Sequence, residues 1–464
     1  MPEYDHLQRA LTPWASAALL AGTVIGTGIF LVPATMARET GSITGVFLVW
    51  IIGGLLSLCG ALTYAELGSA LPEAGGEYAF LRRAYGPAFG FLFGWQQIVI
   101  GKTGSIAAIG LAASAFMGLF VDGLHQSLVV GSRTLPVNGA QAISIAGILA
   151  LTGINLLGVS RSGTLQVILT SIKLLAILGL CLLAFASDKG DWGHFLADMN
   201  TTEPRELQGL LGYSAALAAA LWAFDGWNNL TLVSGEIETP NQTIPRVLTL
   251  GVLAVAGIYV ITNIAYFLIL PFSAVGQSSR VAQDVAHSLL GEPGAKALTI
   301  AALISTLAAL NGSILSGARI FYAMARDGLF VQRLARVNPV TGTPSLALLF
   351  QASLASALIL ILGQHPSAFE RVLDYALFGT WAFYGLTALA VIVLRIREPN
   401  LQRPYRTLGY PVIPLIFSAV AISFCFSIGL RRPDETQMGL LLLLGGVPVY
   451  LLMRFRNRKV ALRS

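Results

Sequence analysis

The stretch AGTVIGTGIFLVP, residues 21–33, lies inside the first long apolar run of the chain. It holds three glycines, two threonines and Pro33, residue types that weaken or interrupt a helix interior. One interpretation is simple helix packing, because Gly22-x-x-x-Gly26 matches the small-xxx-small pattern. The other is a helix that breaks at mid-membrane. Backbone unwound at that depth must be buried in protein or line a polar cavity, where its N–H and C=O groups become available for a ligand.

The composition is that of a membrane protein. The chain has 464 residues, of which 55% are hydrophobic and 11% charged, with a mean hydropathy of +0.72. A soluble protein carries about 25% charged residues. Apolar runs recur along the chain at about the length, roughly 20 residues, that crosses a bilayer core. A membrane β-barrel would need alternating segments of about ten residues instead. We therefore expect an all-α protein that crosses the membrane many times.

The apolar runs predict twelve membrane spans with no linker between soluble modules, so 1–464 is expected to form one membrane domain. An even number of spans puts both termini on one side. That side carries about twice as many Lys and Arg residues as the other, which favours cytoplasmic termini. The predicted spans are 13–37, 44–69, 87–119, 139–158, 163–186, 210–233, 247–270, 296–322, 345–362, 369–394, 410–430 and 437–454.

The sixth span has an interruption of its own, in LWAFDGWNNL at 221–230. Asp225, Gly226, Asn228 and Asn229 stand in the middle of an otherwise apolar run. Spans one and six thus both carry helix-breaking residues near their centres. A pair of interrupted segments at corresponding positions is the best sequence indication of a transporter built from inverted repeats.

Such a repeat sets the expected organisation of the domain. The first five spans, 13–186, form one half and the next five, 210–394, form the other. The last two spans, 410–454, lie outside the repeat. This arrangement is a five-plus-five inverted-repeat fold of the LeuT type, with helices 1 and 6 interrupted.

The two breaks together suit a zwitterion. Half-helix N-termini offer N–H groups and positive dipole ends to a carboxylate, whereas unwound carbonyls attract a cation, and an α-amino acid carries both charges. The expected carboxylate ligands are the N–H groups around Gly26, Thr27 and Gly28. The expected ammonium ligands are the carbonyls near Val24, Trp222 and Asp225. Trp222 is a candidate aromatic gate over the substrate; packing or interfacial anchoring is its alternative role.

Motifs spread along most of the chain resemble those of the L-type amino acid transporters, a family of the amino acid–polyamine–organocation superfamily. They are VIGTGIF at 24–30, YAELGSALPEAGGEYAFLRRAYGPAFGFLFGW at 64–95, INLLGVSRSGTLQ at 154–166, LWAFDGW at 221–227, GEIETPNQTIPR at 235–246 and LNGSILSGARIFYAMARDGLF at 310–330, followed by TP at 343–344. The resemblance implies the inverted-repeat fold, a substrate site at spans one and six, and transport by exchange.

Animal members of that family pair with a glycoprotein heavy chain through a cysteine in the loop after span three. The corresponding loop here, 120–138, has no cysteine. Cys59, Cys181 and Cys425 all lie in apolar runs and indicate no disulfide framework. We therefore expect a bacterial, stand-alone member in the inner (plasma) membrane, without a disulfide-linked heavy chain.

Lys173 lies in the middle of span five, where a charge is costly and needs partners. By resemblance, it matches a lysine that replaces a sodium ion of sodium-coupled relatives. Its ammonium would then connect the span-one break to span eight. The candidate partners are the carbonyls of Gly22 and Thr23 and the side chains of Asn311 and Ser313. This residue predicts sodium-independent transport.

Lys102 is a second cation inside a span, near the middle of span three, and Asp225 is the only acid in the middle of a span. A Lys102–Asp225 pair would neutralise both. The alternative leaves Asp225 to attract the substrate ammonium directly.

Three further acids lie at span ends, where solvated charges are common. Glu66, Glu236 and Glu238 are candidates for a cytoplasmic gate formed with Arg82, Arg83, Arg319 or Arg326.

The favoured function is sodium-independent exchange of small neutral L-amino acids by alternating access. Apart from Asp225, the spans expected to form the side-chain pocket contain no acidic residue suited to bind a cationic substrate side chain. Proton-coupled symport, transport of cationic amino acids or polyamines, and a channel remain alternatives. An enzyme is not expected, because the histidines form no cluster at metal-ligand spacing and no nucleophile elbow or P-loop is present. We expect no metal and no cofactor.

Overall fold

The computed structural model describes residues 7–124, 126–130, 133–199, 208–363, 366–431 and 433–461. Within these ranges, eleven helical segments are long and apolar enough to cross a membrane. The shorter apolar helix Leu211–Ala223 supplies a twelfth, at the position of span six. The twelve spans agree with those expected from the apolar runs.

Span one is interrupted as its sequence predicts. Its first half, helix 1a, runs from Pro13 to Val24, and the Thr12 side chain caps its start by accepting a hydrogen bond from the Ala15 N–H. The helix ends before 25–27, and helix 1b, Gly28–Thr40, completes the span. Gly41 ends helix 1b in the left-handed conformation, which glycine adopts without steric cost.

Span six is interrupted too. Helix 6a, Gln208–Ala223, stops before residues 224–228, and the chain then continues as the short helix 6b, Asn229–Leu232. Gly226 lies in this break with φ +112°, a conformation that residues with a Cβ rarely adopt. The prediction of two broken spans is therefore confirmed at the level of the backbone.

The other spans are longer helices, and short elements connect them. Span three contains a π-helical turn, Gln97–Gly101, between Pro87–Gln96 and Lys102–Met117. The remaining spans are Ile43–Ala70, Gly139–Leu156, Val159–Ala186, Pro240–Ile269, Glu292–Arg326, Ser345–Leu362, Pro366–Arg397, Val412–Arg431, and the pair Pro433–Leu444 and Gly446–Ala461. The connecting elements are helices Glu77–Tyr85, Gly193–Met199, Phe272–Gln277 and Val281–Leu290, the 3₁₀ turns Ser234–Glu236 and Gln332–Ala335, and the antiparallel strands Ser127–Val130 and Arg133–Asn138.

Helix packing places both breaks in the protein interior. Helix 6a packs along helix 1b, helix 6b lies against helix 1a, and span five covers helix 1a. Span five turns its other side outward, where Leu175 and Leu182 are 72% and 69% exposed. An apolar outward side fits contact with lipid, whereas unwound backbone is tolerated only inside the bundle.

Candidate functional site

The two breaks touch each other. The Thr23 hydroxyl donates a hydrogen bond to the Gly226 carbonyl at 3.0 Å. A Cβ on Gly226 would lie 3.1 Å from the Thr23 carbonyl oxygen, and a Cβ on Gly28 would lie 2.8 Å from the Ala223 Cβ. Glycine at both positions therefore allows the two spans to approach closely where their helices are interrupted.

Tyr259 of span seven joins the ends of helices 1a and 6a. Its buried hydroxyl lies 3.0 Å from the Val24 carbonyl oxygen and 2.9 Å from that of Ala223. These carbonyls lack helical partners because both helices end there. The sequence analysis missed this residue. The available signal was a tyrosine hydroxyl in the middle of an apolar span, where it needs a partner.

One side of the contact is open. A Cβ built on Gly26 meets no atom within 4 Å. Thr27 and Asp225 are half-buried, and Trp222 is 46% exposed, although its neighbour Ala223 is buried. A space therefore adjoins the span-one break at Gly26, and the Trp222 ring is exposed just before the span-six break.

Some of the backbone groups expected to bind the substrate already make hydrogen bonds within the protein, and others do not. The Gly26 N–H already donates to the Val24 carbonyl at 2.8 Å, and the Asp225 N–H donates to the Trp222 carbonyl at 3.2 Å. By contrast, no side chain caps helix 1b, since Thr27 makes no such bond. The donors suited to an anion thus lie at the start of helix 1b rather than on Gly26 itself.

Lys173 reaches the carbonyl side of the span-one break. Its fully buried ammonium donates to the carbonyls of Gly22 at 2.8 Å and Ile25 at 2.5 Å. From span eight, the Ser305 hydroxyl donates to the same Ile25 carbonyl at 2.9 Å. The break is thus connected to spans five and eight through its carbonyls.

The other partners suggested for Lys173 lie elsewhere. Thr23 directs its hydroxyl to span six, as described above, and its carbonyl is not in contact with the ammonium. The Asn311 side chain is held by Asn155 and Gln166. Ser305 stands two helical turns before Ser313 on span eight and occupies the position that the sequence analysis gave to Asn311 or Ser313, because span eight crosses the break nearer its start.

The direct Lys102–Asp225 pair is not formed. The Lys102 ammonium donates to the Asn229 side-chain oxygen and lies 3.4 Å from the Ser316 hydroxyl. The Asp225 carboxylate instead accepts a hydrogen bond from the Tyr384 hydroxyl of span ten at 2.8 Å. Asn229 starts helix 6b four residues after Asp225, and its side-chain amide oxygen, rather than the Asp225 carboxylate, accepts from the Lys102 ammonium.

The three candidate gate acids have different environments. Glu66 pairs with Arg395, at 2.8 and 2.7 Å, rather than with any of the four suggested arginines. Glu236 pairs with Arg319 at 2.6 and 2.8 Å, and both side chains are completely buried. Glu238 is exposed. Of the proposed gate pairs, the structure therefore contains Glu236–Arg319.

The close approach at Gly28 gives a first testable prediction. Gly28→Ala should slow transport, because the added methyl would force helices 1b and 6a apart at a cost of about 1–3 kcal/mol. Ala223→Gly should restore part of the activity, since it removes the nearer clash but leaves the Ala223 Cα at 3.0 Å. Uptake into proteoliposomes measures the effect.

Gly147→Ala is the matched control for that experiment, because a Cβ there meets no atom within 4 Å. Equal activity of Gly28→Ala and Gly147→Ala would show that the spacing between helices 1b and 6a does not limit transport.

Two interrupted helices that meet inside a twelve-span helical bundle define a polytopic membrane transporter. The sequence model of one family, amino acid permease, matches residues 11–446, and the chain belongs to that family. It is 34% identical over 461 residues to the serine/threonine exchanger SteT of Bacillus subtilis (strain 168), an alignment that covers 98% of this chain and 99% of that protein.

Mammalian relatives extend the comparison. The human b(0,+)-type amino acid transporter 1 is 29% identical, with 97% of this chain and 89% of that protein covered. The mouse Asc-type amino acid transporter 1 is 30% identical, with 96% and 81% covered. These relatives confirm the resemblance to L-type transporters, the LeuT-type fold and the expectation that the chain is a transporter rather than an enzyme.

Proposed function

We propose that the protein is a sodium-independent exchanger of small neutral L-amino acids that works by alternating access. The observation that carries this proposal is the contact of the two broken spans beside an open space at Gly26. Uncapped N–H groups begin helix 1b beside it, and the half-buried Asp225 belongs to the span-six break, which contacts span one through Thr23. The two ends of a zwitterion would find opposite polarity there.

In this proposal, the substrate carboxylate accepts hydrogen bonds from the N–H groups of Thr27 and Gly28. The ammonium is attracted by the carbonyls near Val24 and Trp222 and by the field of Asp225. The Val24 oxygen already accepts hydrogen bonds from the Tyr259 hydroxyl and the Gly26 N–H, so it would act on the ammonium through its partial negative charge. The exposed Trp222 ring would cover the bound amino acid and act as the gate.

Sodium independence follows from Lys173. Its ammonium is a fixed cation on the carbonyls of Gly22 and Ile25, groups that would otherwise coordinate a metal ion. A second cation in the same place would be repelled strongly in a medium of low polarity. Exchange then needs no sodium gradient.

The charges of the site favour substrates with small neutral side chains. A cationic side chain would need an acid of its own, but the Asp225 carboxylate is already hydrogen-bonded to Tyr384. The bacterial relative named above is a serine/threonine exchanger, which favours the same substrate class. The paired interruptions favour alternating access over a channel.

The proposal includes the remaining features expected from the sequence. The halves 13–186 and 210–394 form the inverted repeat, and both termini face the cytoplasm of a bacterium. The loop at 120–138 has no cysteine for a heavy chain, so the purified chain should be active alone.

Uptake into proteoliposomes tests this function. Radiolabelled serine should enter severalfold faster when the vesicles contain unlabelled serine. The reason is that the binding site of an exchanger reorients to the outside faster with a bound amino acid than without one. Replacing external sodium by potassium should change nothing. Unlabelled alanine, threonine, leucine and arginine as competitors define the substrate class. Vesicles without protein are the control.

Each competing function has its own result in that assay. An uptake rate that is the same with and without internal amino acid would indicate a uniporter or channel. Uptake that requires sodium would contradict the role given to Lys173, and strong competition by arginine alone would point to cationic substrates.

A further inference from the structure

Glu77 is a completely buried acid that the transport mechanism described so far does not use. It begins the helix Glu77–Tyr85, which connects spans two and three. Its Oε1 accepts a hydrogen bond from the Asn228 side chain at 2.6 Å, whereas its Oε2 is buried and has no hydrogen-bond partner among the residues that the structure describes. A buried carboxylate oxygen without a donor is costly, and protonation relieves that cost.

The position of Glu77 connects it to the substrate site. Asn228 is the last residue of the span-six break and directly precedes helix 6b. Three residues before it stands Asp225, and the next residue, Asn229, binds the Lys102 ammonium. Glu77 therefore lies one hydrogen bond away from the segment that also carries Asp225.

The charges around Glu77 do not balance when every group is ionised. Lys102 is one cation, and Glu77 and Asp225 are two anions. Among the described residues, no cation is bonded to Glu77. The titratable groups that interact with it electrostatically are Tyr64 of span two, Lys102 of span three, Asp225 in the break and Tyr384 of span ten. Span eight also packs against the helix Glu77–Tyr85, and its Arg319 guanidinium is bound by Glu236.

We propose that Glu77 is a proton-binding site beneath the span-six break, and that its proton favours closure of the site during exchange. The inference rests on the proposed exchange function. Closure removes water, and an excess negative charge in a dry site is unfavourable. With Glu77 neutral, Lys102 and Asp225 balance each other. The ionised form leaves one negative charge in excess.

The environment places this titration in the physiological range. Burial raises the pKa of Glu77 to about 7, although the Asn228 hydrogen bond acts in the opposite direction. Below that pH the carboxyl carries its proton, and above it the carboxyl is ionised. The exchange rate should therefore be highest at acidic pH and fall as the pH rises through about 7.

The test is the serine exchange rate in proteoliposomes with equal pH inside and outside, from about pH 5.5 to about pH 8.5, a range that brackets the titration. Glu77→Gln, which resembles the protonated acid, should remove the pH dependence and keep the rate of wild type at acidic pH. Glu77→Asp should keep a pH dependence with a shifted midpoint. Glu292→Gln, a change of an exposed acid outside the site and the gate candidates, should behave as wild type.

Two results would overturn the inference: a wild-type rate that does not change with pH, or a Glu77→Gln profile equal to that of wild type. If Glu77→Gln does not fold, an unshifted profile of Glu77→Asp would overturn it as well. Failure of the proposed function looks different, because internal serine would then fail to accelerate uptake at every pH.

Discussion

Lys173→Ala should lower the exchange rate about 100-fold, which corresponds to a loss of about 3 kcal/mol in the rate-limiting step. The ammonium donates to the carbonyls of Gly22 and Ile25 at the break of span one. Without it, the Gly22 carbonyl loses this donor, and Ile25 keeps only Ser305 from this set. The break would lose its connection to span five while the site opens and closes, although the Thr170 hydroxyl would still hold helix 1a at the Ala18 carbonyl.

The experiment compares serine exchange by Lys173→Ala with that by Ile172→Ala. Ile172 is the preceding residue of span five and is 41% exposed on the outward side, so its truncation should have little effect. Equal amounts of folded protein are verified by size-exclusion chromatography.

An exchange rate of Lys173→Ala equal to that of wild type would contradict the role assigned to the ammonium. A rate that recovers when sodium is added to the variant would support it strongly, because the metal ion would then replace the missing cation at the same carbonyls.

Arg319→Met should destabilise the protein by about 3–5 kcal/mol, the usual result when one partner of a buried ion pair is removed. Glu236 and Arg319 are both completely buried and share two hydrogen bonds of 2.6 and 2.8 Å. The guanidinium also donates to the Leu315 carbonyl at 2.6 Å. In the variant, the Glu236 carboxylate would stay buried without a counter-ion.

The thermal unfolding midpoint in detergent measures this effect. Glu236→Gln combined with Arg319→Met should recover much of the stability, because no isolated charge remains. Lys296→Ala is the control, since its ion pair with Glu292 is exposed and contributes at most about 1 kcal/mol. A single variant as stable as wild type would show that the buried carboxylate finds another partner.

The pair at Glu236 also lies where spans one and six meet a second time. The Glu236 backbone carbonyl accepts hydrogen bonds from the N–H groups of Ala10 and Leu11, just before helix 1a. Residues Leu11 and Ile237 form a parallel β-bridge there. Spans one and six are therefore joined at this end as well as at their breaks, and Arg319 fixes the joint to span eight.

The sequence alone determined the spans and the positions of the two breaks. Both depend on local chemistry: a run of about 20 apolar residues crosses the bilayer whatever its neighbours are. Glycines beside Thr23 and Thr27, and an Asp-Gly pair at 225–226, weaken a helix where they stand. The motifs at 24–30 and 221–227 further indicated the family, because they combine these breaks with a fixed order along the chain.

Only the tertiary structure decided how the buried charges are satisfied. Asp225 binds Tyr384 and Lys102 binds Asn229, whereas the sequence suggested that the two charges pair directly or that Asp225 attracts the substrate ammonium. Ser305 rather than Asn311 or Ser313 joins Lys173 at the break. Each of these outcomes depends on the depth and rotation of separate helices.

The physical reason is the range of the interactions. Hydrophobicity and helix propensity act over neighbouring residues and can be recognised in a short stretch of sequence. The buried side-chain hydrogen bonds of Lys102, Lys173 and Asp225 described above join residues more than a hundred positions apart in sequence, and each requires its two atoms to lie within about 3 Å of each other. A shift of one helix by a single turn, about 5.4 Å, exchanges one partner for another, and sequence patterns do not fix that shift.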